Sequence, residues 1–268
     1  MAARKRSQKT RKPGTRQTSP RAPKPAQGAA PSPWIYGLHA VSAALSNPRR
    51  KCQRLVATRE TAGIFEGAED GPAVEIVGRQ EIDSYLPPGA VHQGVALLAS
   101  PLPTVSVEDI AAHAAQRQRT LVVALDQVTD PQNVGAVLRS AAAFGAFAVL
   151  VPDRHTPETS GALAKAASGA IETVPVIRPT NLVRALETLK SDGFWVVGLD
   201  VDAPASLADT DLPDRCILAL GAEGKGLRRL TGETCDLMAS IPMSGAIQSL
   251  NVSASAAIAL YEWIRQKS

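Results

Sequence analysis

The sequence predicts an α/β protein in two parts: a small N-terminal α/β unit and a larger C-terminal domain built on a parallel sheet. Three observations predict it. From Leu121 onward, apolar runs of strand length alternate with helical segments, the pattern of a parallel sheet covered on both faces. Before that, shorter strand-like runs end at Ser100-Pro-Leu-Pro103, which breaks the pattern. Three later segments place glycines and polar residues where a strand ends and a helix begins, the edge at which open α/β sheets bind ligands.

Order is expected from Trp34. Ile35–Leu45 reads as a short strand or turn followed by a helix, which Asn47-Pro48 ends. Gln53–Thr58, Ala73–Val77 and Gly94–Leu98 are strand-like, with a short helix at Gln80–Tyr85. This gives a domain over residues 34–100, then a linker with a helix at Val107–Gln118 inside residues 101–119. Residues 120–268 form the second domain. Its expected strands are Leu121–Leu125, Ala146–Val151, Val174–Ile177, Phe194–Leu199, Cys216–Leu220 and Met238–Ile241. Its expected helices are Val134–Phe144, Gly161–Ala167, Leu182–Leu189, Leu227–Cys235 and Leu250–Gln266.

Composition excludes several classes. Aromatics make up only 4% of the 268 residues, so the core is mostly aliphatic. Three cysteines, with no C-x-x-C pair, argue for reduced thiols and a cytoplasmic setting rather than a disulfide framework or zinc site. No apolar run approaches the ~20 residues of a membrane span, and the start lacks the apolar stretch of a secretory signal. His39, His92, His113 and His155 lie far apart without metal-ligand spacing, so no metal is expected. No nucleophile elbow or kinase signature appears.

The pI of 9.1 belongs to one end of the chain. Residues 1–33 hold nine Lys or Arg and no acid, while the rest carries 20 basic and 25 acidic residues, a net of −5. This Pro-, Ser- and Ala-rich tail cannot bury enough apolar surface to fold. It suits either a flexible arm on phosphate backbones or a solubilising extension. A transit peptide fits its arginines, but its prolines break the amphipathic helix such peptides need. Arg49, Arg50, Lys51, Arg54 and Arg59 form a second basic cluster, suited to a solvated face or to tracking phosphates.

Three segments carry the chemistry. In Asp130-Pro-Gln-Asn-Val-Gly-Ala-Val-Leu-Arg139, Asn133 makes a good N-cap. Arg139 lies six residues on, about 9 Å along a helix axis and off the Asn133 stripe. The two converge on one substrate only if the site is shared between subunits or the substrate is long. Gly221-Ala-Glu-Gly-Lys-Gly226 lacks the Ser or Thr of a P-loop, and no dinucleotide fingerprint is present. What remains is a flexible loop beside one carboxylate, Glu223, able to wrap a ligand or simply to turn. In Ile241-Pro-Met243 and Ser249-Leu-Asn-Val-Ser253, Ser249 serves as an N-cap, and Asn251 falls just inside a helix, where asparagine has poor propensity.

Together these segments resemble the SpoU/TrmH family of RNA 2′-O-ribose methyltransferases, in the SPOUT superfamily, across Leu121–Gln266. Ile35-Tyr-Gly-Leu-His-Ala-Val41 and Val91-His-Gln-Gly94 resemble the accessory RNA-recognition domain of one branch, which modifies a guanosine ribose in the peptidyl-transferase region of 23S rRNA. The resemblance implies a trefoil knot, a homodimer with the active site at its interface, and S-adenosyl-L-methionine held near Gly221, Ile241 and Leu250. It implies catalytic or substrate-positioning roles for Asn133, Arg139, Glu223, Ser249 and Asn251. An arginine pKa above ~12 makes Arg139 a poor base, so its expected role is phosphate binding and charge stabilisation. Gln248 departs from the family pattern, where a small residue is common. Two alternatives stay open: a tRNA ribose methyltransferase, and a non-catalytic RNA-binding ribosome-assembly protein on the same fold.

Overall fold

The computed structural model describes residues 34–66, 71–152, 161–245 and 249–267. The basic tail, Gln248 and His155 lie outside these residues. The N-terminal part contains β1 (Trp34–Tyr36), α1 (Leu38–Leu45), β2 (Cys52–Ala57), α2 (Arg59–Ala62), β3 (Val74–Ile76), α3 (Arg79–Tyr85) and β4 (Val95–Ala99). Its sheet runs β1-β4-β2-β3, with β4 antiparallel to both neighbours and β2 parallel to β3. The linking helix α4 (Val107–Ala115) follows, closed at its start by a Ser106–Asp109 capping box.

The large sheet is built from β5 (Thr120–Asp126), β6 (Ala148–Leu150), β7 (Val176–Ile177), β8 (Trp195–Leu199), β9 (Ala205–Ser206), β10 (Arg215–Gly221) and β11 (Leu237–Ser240). Its order is β7-β6-β5-β10-β8-β11-β9, and every pairing is parallel. Its helices are α5 (Pro131–Ala143), α6 (Gly161–Ala166), α7 (Leu182–Ser191), α8 (Arg229–Thr234) and α9 (Val252–Lys267). The expected alternation is thus present, with the two-residue β9 added at the edge. Two residues are too few to produce a readable periodicity.

Strand alternation divides the core. In β5, Leu121, Val123 and Leu125 face one side with α5 and α9, while Val122 and Ala124 face the other with α4 and α7. Strand β10 repeats this: Cys216, Leu218 and Leu220 against Ile217 and Ala219. Both central strands are buried on two faces, which is why they read as continuous apolar runs. Close packing fixes α5 on α6, since a Cβ on Gly135 would fall 2.4 Å from that of Ala166.

The small sheet is tied to the large one through a buried charge. Glu172, in a 3₁₀ turn after α6, accepts from Arg50 Nη2 at 2.6 Å, Arg50 Nε at 3.1 Å and Asn47 Nδ2 at 2.8 Å. Both partners of the ion pair are nearly inaccessible, with side-chain exposures of 6% and 3%. Arg49 adds a bond to the Glu172 carbonyl, and Arg54 pairs with Glu75 on β3. The basic cluster therefore divides: Arg49, Arg50 and Arg54 have internal partners, while Lys51 and Arg59 face solvent.

Burial also sets the thiols and one histidine. Cys216 is sealed in the core with its thiol pushed strongly up, and burial pushes the Cys235 thiol up to about 11, so neither forms a ready thiolate. His92 is buried beneath the Gln93-Gly94 turn, where Nδ1 accepts the Gly94 N–H at 3.1 Å and Nε2 faces Asp83. Desolvation holds it below its ordinary value, against the pull of Asp83. Above about pH 6.5 both folded and unfolded chains keep this ring neutral. As pH falls below that value the unfolded chain takes up the proton first, and stability is lost until the folded-state pKa is reached. Replacing His92 by Gln should flatten the fall in unfolding free energy between pH 7 and pH 5 relative to the parent, measured by urea titration. Identical pH profiles would contradict the assignment.

Candidate active site

Several elements converge at the carboxyl edge of the large sheet: the ends of β5, β8 and β10, the starts of α5 and α9, and the loop Gly221–Arg228. How the two helices start decides what their side chains can do. Asp130, not Asn133, caps α5: its carboxylate accepts the Gln132 N–H at 3.0 Å, and Pro131 takes the first helical position. That frees the Asn133 side chain. At α9 the cap is Asn251 rather than Ser249, because Asn251 Oδ1 accepts the Ser253 N–H at 2.9 Å and its hydroxyl at 2.5 Å. The Asn251 amide nitrogen remains available.

Glu223 collects these freed groups. Its Oε1 accepts from Asn251 Nδ2 at 2.7 Å, and from Asn133 Nδ2 and the Val252 N–H, both at 3.4 Å. Asn251 Nδ2 also donates to Asn133 Oδ1 at 3.0 Å. Three residues separated by up to 118 positions thus form one network, with the carboxylate as common acceptor. The glycine loop that carries Glu223 is bridged across its base, Ala222 to Gly226. Only glycine fits at Gly221, where a Cβ would lie 1.9 Å from the Gly226 carbonyl carbon.

The loop is fastened below as well. Asp126, at the end of β5, is 1% exposed and lies in register with Gly221. It accepts the Arg228 backbone N–H at 2.9 Å and Arg228 Nε at 2.7 Å. A buried carboxylate without partners would be strongly destabilising, so this pair fixes where the loop returns to the sheet.

Beside the loop lies a cleft of about 250 Å³. Gly221, Ile241 and Leu250 all line it, as do Glu223 and Ser249. Asn133 and Asn251 stand next to it through their bonds to Glu223. Arg139 is not drawn in. It projects from α5 into solvent, and it makes no hydrogen bond or ion pair among the described residues. Asp200 and Asp202, just past β8, also line the cleft and were not singled out from the sequence. The available signal was position, since two acids directly after an apolar strand stand at the ligand-binding edge. Among the described residues no group of histidines, cysteines or acids could hold a metal ion, and no helix is long and apolar enough to cross a membrane.

Glu223 is exposed, so removing it should cost little folding energy, roughly 1 kcal/mol, while loosening the loop. Glu223→Ala should therefore leave the unfolding midpoint nearly unchanged but speed amide hydrogen exchange at Val252 and Ser253. Unchanged exchange would remove Glu223 as the organising acceptor.

Residues 120–261 match the SpoU rRNA Methylase family, and residues 34–105 match the family described as RNA 2′-O ribose methyltransferase substrate binding. The chain is 39% identical over 250 residues to the 23S rRNA (guanosine-2′-O-)-methyltransferase RlmB of Salmonella typhi, spanning 88% of this chain and 100% of that one. It is likewise 39% identical to the RlmB of Haemophilus influenzae, spanning 88% and 98%. Among solved structures, the SpoU methyltransferase AviRb from Streptomyces viridochromogenes, in complex with AdoMet, superposes with a TM-score of 0.71 at 22% identity, covering 87% of this chain and 90% of that one.

Proposed function

Since this chain belongs to the SpoU rRNA Methylase family, we propose that it transfers a methyl group from S-adenosyl-L-methionine to the ribose 2′-hydroxyl of a guanosine in 23S rRNA. The observation that carries this reading is the Asn133–Glu223–Asn251 network set directly against the glycine-walled cleft. The cleft's chemistry fits the cofactor. Leu199, Leu220, Ile241 and Leu250 offer apolar contact to a purine, and Asp200 and Asp202 offer acceptors for hydroxyl or ammonium groups. The glycine loop lets the main chain approach closely. Bound there, S-adenosylmethionine supplies an electrophilic methyl group.

The chain's own residues must present the 2′-oxygen in line with that group. Ser249 and Asn251 orient the ribose, with Asn251 held rigid by its bonds to Glu223 and Ser253. Asn133 keeps Glu223 in place from the α5 side. Arg139 binds the adjoining phosphate and stabilises negative charge as the hydroxyl loses its proton.

Arg139 performs that role in a second copy of the chain. It lies a third of a helical turn off the Asn133 stripe and faces solvent. On α9, which packs on α5, Ile258 and Tyr261 are 40% and 54% exposed, an apolar surface suited to a homodimer whose partner receives Arg139. Residues 34–100 serve as the RNA-recognition domain of each protomer. The C-terminal domain carries the trefoil knot that the family resemblance implies, and a crystal structure of the protein tests it.

Methyl transfer from labelled S-adenosylmethionine should appear on unmodified 23S rRNA, at one alkali-resistant ribose, and not on bulk tRNA. Arg139→Ala should lower it by about 10²–10³-fold, the usual loss for one charge-stabilising donor. Mixing Asn133→Ala with Arg139→Ala chains should restore part of the activity, because a mixed dimer holds one intact composite site. Label on tRNA alone would overturn the substrate. Failure to complement would overturn the shared site, and no label on either RNA would leave a binding protein.

A further inference from the structure

Arg228 stands out because its two ends do different work. Its backbone N–H and Nε both hold the buried Asp126 carboxylate. Its side chain is nevertheless 47% exposed. Nε takes one edge of the guanidinium, and the terminal Nη1 and Nη2 have no hydrogen bond among the described residues. The planar fork is therefore locked in orientation at one edge and open at the other. It sits at the base of the glycine loop, on the same edge of the sheet as the cleft, with exposed Lys225 in the same loop.

We propose that Arg228 is a substrate-binding residue, a preoriented donor for an RNA phosphate held in place by Asp126. A non-bridging phosphate oxygen pair matches the two terminal N–H groups of a guanidinium fork. Preorientation matters energetically, because a free arginine loses side-chain entropy on binding, and here Asp126 has already imposed that order during folding. Neighbouring Arg229 does not share this arrangement. It is 75% exposed and pairs with Glu233 one turn along α8, an ordinary surface pair. The arrangement also links substrate to cofactor. A phosphate on Arg228 bears on the residue that anchors the loop, and the tip of that loop carries Glu223.

This inference rests on the RNA methyltransferase reading, so its test separates the two. Arg228→Ala alone would strip the side-chain partner from a buried carboxylate and risks unfolding. Arg228→Gln keeps a side-chain donor for Asp126 without the charge, and Arg228→Lys keeps the charge on one nitrogen that cannot hold carboxylate and phosphate together. Each is compared with the parent for thermal unfolding, for S-adenosylmethionine binding by calorimetry, and for binding of an unmodified 23S rRNA transcript from 50 to 200 mM salt. Expected is a folded protein that still binds S-adenosylmethionine. Its RNA affinity should be about tenfold weaker, and the slope of log K against log salt should be smaller by about 0.7–0.9, one phosphate contact. An unchanged slope in both folded variants would overturn the assignment and leave Arg228 a structural clip. A parent chain that binds neither S-adenosylmethionine nor RNA would instead overturn the reading beneath it.

Discussion

The site depends on one buried charge, the Asp126 carboxylate at the end of β5. Strands β5 and β10 lie side by side in parallel register, so Asp126 stands beside Gly221 just where β10 opens into its loop. The loop folds back so tightly that no side chain fits at Gly221. Such a turn needs an anchor on its returning limb. Asp126 provides it twice, through the backbone and the side chain of Arg228. A buried acid has few stable alternatives to full pairing, so the loop has one favoured path.

From that anchored base the rest follows in order. The tip of the loop places Glu223 between the starts of α5 and α9. Each helix is capped so that an asparagine amide is left over, Asn133 because Asp130 takes the cap, and Asn251 because its oxygen alone does the capping. Glu223 draws both amides into one network, and the cleft opens against it. The chemistry assembled is electrostatic and positional. It has fixed acceptors and a main-chain cradle. That suits a reaction in which the substrate hydroxyl attacks and the protein's task is alignment.

The N-terminal sheet is held by the same kind of device. Glu172 receives Arg50 and Asn47 in a nearly inaccessible setting, and Arg50 also reaches the Ser100 carbonyl ahead of the linker. Burying this ion pair is costly unless every bond is made, so the contact specifies orientation more than it adds stability. Within the basic cluster, Arg49 and Arg50 therefore fasten the two sheets, Arg54 is spent on Glu75 inside the small sheet, and Lys51 and Arg59 alone are left to solvent.

The sequence by itself determined the α/β class, the six principal strands and five helices of the large domain, and the segments that meet at the site. Strand and helix periods, glycine turns and strand-end polar residues are local signals, written within a few positions of one another. Gly221, Ile241 and Leu250, which the family resemblance set near the cofactor, all line the cleft. Tertiary structure alone decided the rest. Asp130 and Pro131 settle the α5 cap locally, but the partner of the freed Asn133 amide is Glu223, ninety positions away. Whether Arg50 is a surface cation or a buried partner depends on Glu172, 122 positions away. Asp200 and Asp202 gain meaning only when β8 lies beside β10. A polar side chain's role is set by its partner, and partners distant in sequence come together only when the chain has folded.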